Sequence, residues 1–70
     1  MEILSERLTA LRGARRLSRK EVSQQLHIAE RTYQRYEAGE REPTASVLAE
    51  LARFYQVTAD YLLGLTDERD

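Results

Sequence analysis

Seventy residues, 41% of them hydrophobic, allow one domain around a single modest core and exclude two lobes enclosing a deep cleft. With no cysteine and one histidine the chain has no disulfides, thiolate metal sites or multi-histidine sites, and no apolar run is long enough to span a bilayer. The net charge of −1 gives the molecule as a whole no pull toward a polyanion.

Ile3, Leu4, Leu8 and Leu11 recur at helical spacing and predict a first helix from about Ile3 to Arg12, with Gly13 fraying or ending it. Ser18-Arg19-Lys20-Glu21 is an S-x-x-E capping box, so a second helix starts at Ser18, with Val22 and Leu26 on one face. The period breaks at His27-Ile28-Ala29 and resumes with Tyr33 and Tyr36 pointing inward, until Gly39 stops the third helix. Glu40 to Pro43 form a polar connector. A fourth helix follows, capped by Thr44, with Leu48, Leu51, Ala52 and Tyr55 on one stripe. Thr58 caps a short fifth helix that runs to about Leu63 and ends at Gly64. Residues 1–65 form the domain, and the polar tail, 66–70, is expected to fray.

Without strand-like alternation the class is all-α, a compact five-helix bundle. Its predicted core is Leu4, Leu8, Leu11, Leu17, Val22, Leu26, Ile28, Tyr33, Tyr36, Leu48, Leu51, Ala52, Val57 and Leu62. Helices two and three, joined by a turn, have the layout of a motif that places a helix in a DNA groove. Glu30, Arg31, Gln34 and Arg35 share the face opposite Tyr33 and Tyr36. Arg suits guanine, Gln adenine and Glu cytosine on the major-groove edge, so these four are the predicted base readers. A merely solvated face, with Glu30 stabilising the helix N-terminus, is the competing reading. The charge is also segregated: residues 12–41 carry eight Arg/Lys against four Asp/Glu, a net +4, whereas residues 42–70 carry two against six, a net −4. The positive stretch coincides with the two-helix motif.

The order of these elements resembles the Cro and phage-repressor type of helix-turn-helix domain, the XRE-like family, over nearly the whole chain. The resemblance rests on Leu11-Arg12, on Leu17-Ser18 before helix two, on Tyr36-Glu37-Ala38-Gly39, on Pro43-Thr44, and on Val57-Thr58-Ala59-Asp60-Tyr61-Leu62-Leu63-Gly64. It implies a lambda-repressor-like fold and a transcriptional regulator, expected to be a repressor, that binds a near-palindromic double-stranded operator as a homodimer. In that geometry the start of helix two faces the DNA backbone. Ser18, Arg19, Lys20 and Arg41 are then the phosphate ligands, with Arg15 and Arg16 weaker candidates and the Tyr33 hydroxyl a further one. The resemblance also pairs Arg12 with Glu37 as a partly buried brace, and gives Tyr61, Leu62, Leu63 and Leu65 as a dimer surface, though these leucines can equally cover the domain's own core.

Departures from the family carry expectations of their own. Arg16, His27 and Gln56 stand where relatives have glycine, which puts each at a left-handed or turn position. Ala29 replaces the usual hydroxyl cap of helix three. Neither a nucleophile–base pair nor a Gly-rich phosphate loop is present, so no enzyme, cofactor or small-molecule ligand is expected. The alternative function is an antitoxin or protein-interaction module on the same scaffold. The expected location is the cytoplasm, and the resemblance points to a bacterial or phage-encoded protein.

Overall fold

In the computed structural model, which describes residues 2–70, five helices follow one another: α1 (Glu2–Ala14), α2 (Arg19–Leu26), α3 (Glu30–Ala38), α4 (Ala45–Tyr55) and α5 (Ala59–Leu62). Among the described residues there is no strand. Helices α1 and α2 pack against α3, α5 sits on α1 and α4, and α4 closes onto α2. The body measures 28 × 23 × 19 Å.

The starts of α2, α4 and α5 are set by side chains. In α2 the Glu21 amide donates to Ser18 Oγ at 3.0 Å and the Ser18 amide donates to Glu21 Oε1 at 2.9 Å, the reciprocal capping box. Thr44 and Thr58 accept from the amides of Val47 and Tyr61 and cap α4 and α5. Ala29 stands at the cap position of α3 without a side-chain bond.

All five helices end in the same double bond. A residue in the left-handed region donates to the carbonyl three back, and the next amide reaches five back, as in Leu17 N–H to Arg12 O (3.2 Å) and Ile28 N–H to Ser23 O (3.0 Å). The left-handed residues are Arg16 (φ 56°), His27 (57°), Gly39 (74°), Gln56 (57°) and Gly64 (79°). The three non-glycine ones are those expected there from the sequence. The prediction that Gly13 ends the first helix is wrong: α1 runs through it to Ala14 and turns at Arg16. Gly64 has a second reason to be glycine, because a Cβ there would lie 3.0 Å from Ile3 Cγ1.

The buried core is Leu4, Leu8, Leu11, Val22, Tyr33, Tyr36, Leu51, Ala52, Tyr55 and Leu62. Leu17, Leu26, Ile28, Leu48 and Val57 only half-enter it, because they lie at helix ends or rims where one side stays open. Tyr55, not among the predicted core residues, is buried because its hydroxyl meets that of Tyr33 at 2.6 Å, so neither phenol is left unsatisfied. The tail is not frayed. The Arg7 guanidinium donates to the carbonyls of Tyr61 and Thr66 and pairs with Asp67 at 2.8 Å, while Thr58 N–H donates to Arg69 O at 2.8 Å. Arg7 also lies over the Tyr61 ring, 4.1 Å from its centroid.

Candidate nucleic-acid interface

Along α3 the side chains divide by angle. Tyr33, Tyr36 and Glu37 are buried, and Glu30, Arg31, Gln34 and Arg35 are exposed along one continuous strip. None of the four exposed side chains has a hydrogen bond or ion pair among the described residues. Two cations, an amide and a carboxylate thus stand unengaged on a helix anchored by two tyrosines.

Lys20 at the start of α2 and Arg41 after α3 are likewise exposed and unpaired among the described residues. Ser18 beside Lys20 keeps a hydroxyl whose oxygen already accepts from Glu21 N–H. Arg15 is turned elsewhere: it donates to Phe54 O at 2.9 Å and lies over the rings of Phe54 and Tyr55, a cation at the carbonyl end of α4. Arg16 is exposed.

The expected brace is present. Arg12 grips Glu37 with two bonds, Nε to Oε2 at 2.7 Å and Nη2 to Oε1 at 3.1 Å, and its Nη1 donates to Leu17 O at 2.9 Å. The Glu37 side chain is only 2% exposed and that of Arg12 17%. Burial pushes the Glu37 carboxyl up, but the hydrogen bonds from Arg12, with help from Tyr33 and Arg19, outweigh it and hold the group below the ordinary carboxylate value. Arg12 is raised in turn, mainly by its bond to Glu37. Burial drives the Tyr33 phenol well up, and Glu37 and Tyr55 add to the shift; burial also raises Tyr55.

Sequence reasoning missed a second partner of this carboxylate. Arg19 Nε donates to Glu37 Oε1 at 3.1 Å, with the Arg19 side chain 45% exposed. The available signal was that a cation at the first position of a helix opposes the helix dipole and so calls for a compensating anion.

Two expectations for individual residues are corrected. Tyr33 is fully buried with its hydroxyl on Tyr55, so it has no path to a phosphate. Leu62 is also fully buried inside its own domain, packed where α5 meets the core, and is not part of any surface. Tyr61 and Leu63 are half-buried, and Leu65, at 73% exposure, is the one large hydrophobic side chain fully displayed among the described residues.

A family model described as helix-turn-helix matches residues 8–62, from the core of α1 to the end of α5. The chain belongs to the Cro/C1-type, XRE-like helix-turn-helix family. The chain is similar to three proteins of Bacillus subtilis (strain 168): with the uncharacterized HTH-type transcriptional regulator YobD it is 42% identical over 65 residues, which are 93% of this chain and 58% of YobD. It is 42% identical to the HTH-type transcriptional regulator AnsR over 59 residues (84% of this chain, 51% of AnsR). With the HTH-type transcriptional regulator ImmR it shares 34% over 61 residues (87% and 48%). The chain spans about half the length of these relatives. No solved structure gave a significant match. The five-helix, strand-free bundle is the lambda-repressor-like form of this family, with α2 and α3 as its helix-turn-helix. No helix among the described residues is long and apolar enough to cross a membrane.

Proposed function

We propose that this domain binds double-stranded DNA in a sequence-specific way and regulates transcription, with α3 in the major groove. The observation that carries the reading is the strip Glu30, Arg31, Gln34 and Arg35: four side chains with base-edge chemistry, exposed and unengaged on a helix held rigid by Tyr33 and Tyr36. Family membership supports it, as do the names of the three relatives. Lys20, Arg19, Ser18 and Arg41, exposed before and after α3 in the chain, supply the phosphate contacts that fix register. A helix seated in the groove excludes other proteins from the same site, which is the physical basis of repression.

The partner at the operator is a second copy of the chain. Leu65, 73% exposed and two residues beyond the half-buried Leu63, is the side chain that supports this. A protomer 28 Å in its longest dimension lets two α3 helices sit about one DNA turn, roughly 34 Å, apart on a near-palindrome. Selection of bound duplexes from a random pool at stated salt tests the reading. It is expected to return one inverted-repeat motif, and recovery of unrelated sequences would refute it.

A further inference from the structure

The buried carboxylate of Glu37 has more cationic partners than its charge requires. Arg12 alone satisfies it with two bonds. Arg19 then joins through Nε only, at 3.1 Å to Oε1, on the oxygen that Arg12 already shares. One carboxylate between two guanidiniums leaves a surplus positive charge, and that surplus sits at the N-terminus of α2, where helix amides add a field of the same sign. A cation is disfavoured there by the helix itself, so the position needs both an anion behind it and a reason in front. Held by Nε, Arg19 keeps its two Nη groups without a partner among the described residues, on a side chain 45% exposed. The guanidinium fork suits two-point contact with a phosphate, and here one edge of it is used for fixing and the other left open.

We infer that Glu37 is the positioning residue for Arg19, holding its Nη pair toward a DNA backbone phosphate, so that one buried carboxylate both braces α1 against α3 and orients a phosphate ligand on α2. This rests on the DNA-binding reading and adds to it a coupling between core and contact surface. The Arg12–Glu37 bonds fix where the carboxylate is; the carboxylate fixes where the Arg19 fork opens. Freed from Glu37, the long Arg19 side chain would have to lose its rotamer freedom at the moment of binding, and affinity would fall without any contact to DNA having been removed.

A double-mutant cycle on DNA binding tests this, with affinity measured from 50 to 200 mM salt on a duplex recovered by selection, well below each variant's melting temperature. Arg19→Ala is expected to weaken binding about tenfold and to lower the salt slope by about one. Glu37→Gln is expected to weaken binding about threefold or more in the Arg19 background and by less than about twofold in the Arg19→Ala background, while lowering the melting temperature in both. Arg19→Lys, which keeps the charge but has no second edge, is expected to retain the salt slope and to lose the sensitivity to Glu37→Gln. Equal losses from Glu37→Gln in both backgrounds would overturn the inference and leave the DNA-binding reading intact. If Glu37→Gln does not fold, Arg19→Lys against Arg19→Ala decides alone: wild-type affinity in Arg19→Lys would refute the held fork, and an unchanged salt slope in Arg19→Ala would refute the phosphate role. Absence of duplex binding by the wild type would sink the function and this inference together.

Discussion

Glu37 is the residue on which most of the domain depends. Its side chain is 2% exposed, and it joins α1, α2 and α3 through Arg12, Arg19 and its own backbone. Removing one partner of a buried pair leaves the other charge uncompensated, so Glu37→Ala is expected to cost about 3–5 kcal/mol in urea unfolding. Its titration gives a direction as well. The folded-state value lies below the ordinary 4.5, so protons bind the unfolded chain more readily. The carboxylate's contribution is therefore full above that ordinary value and is lost as pH falls through the lower folded value. In a pH series the wild type should lose stability on acidification more steeply than Glu37→Ala, and parallel acid arms would count against the assignment. His27 gives the opposite kind of prediction. It holds φ 57° with an exposed side chain, so His27→Gly removes Cβ strain and is expected to raise stability by roughly 0.5–1 kcal/mol by the same measurement. A loss of stability there would mean that the imidazole makes a contact that matters.

At the scale of elements, helix starts and stops have different origins. Starts come from hydroxyls at Ser18, Thr44 and Thr58, whereas every stop is the same left-handed turn. Gly13 is not the left-handed residue of its stop; only its carbonyl takes part, accepting from Arg16 N–H at 3.1 Å. It lies inside α1, and a Cβ there would meet nothing within 4 Å, so Gly13→Ala should stabilise the domain by about 1 kcal/mol through helix propensity alone. Thermal unfolding checks this, and a lower melting temperature would contradict it. The same contrast explains what could be read in the sequence. Caps were legible because hydroxyls three residues before a partner amide are a local signal, and the α3 strip was legible because helical period sorts Tyr33 and Tyr36 from Gln34 and Arg35. Gly13 misled because glycine is the usual stop signal, while here arginine holds that place at Arg16. The Tyr33–Tyr55 bond and the Arg7 clamp were not legible, since each joins residues distant in the chain (22 and 54 apart for the first of each set) and no local pattern reports such pairs. Arg7 did carry one hint: it lies one turn from both Leu4 and Leu11, at the edge of the core face.

At the scale of the molecule, charge is segregated along the chain. The basic residues 12–41 include the proposed DNA face, and the acidic residues 42–70 include α4, α5 and the tail that Arg7 fastens to α1. A net −1 chain can therefore approach DNA in one orientation and repel it in others, which favours specific over indiscriminate binding. The apolar display of Leu65 belongs to the acidic segment, away from α3 in sequence. If a second copy covers it, Leu65→Lys should abolish dimers in sedimentation and weaken operator binding while leaving the stability of the monomer within about 0.5 kcal/mol of its original value. Dimers that persist would place the interface elsewhere.

The central claim is that α3 reads bases with the strip Glu30, Arg31, Gln34 and Arg35, while Lys20, Arg19 and Arg41 hold the backbone. Binding of single-base-pair variants of the selected duplex, compared among wild type, Gln34→Ala, Arg35→Ala and Arg41→Ala, tests it most directly. Gln34→Ala and Arg35→Ala should each lose about 1–3 kcal/mol of discrimination at one base pair and keep it elsewhere, whereas Arg41→Ala should weaken every duplex alike and lower the salt slope by about one. Unchanged base preference in both α3 variants would contradict the account.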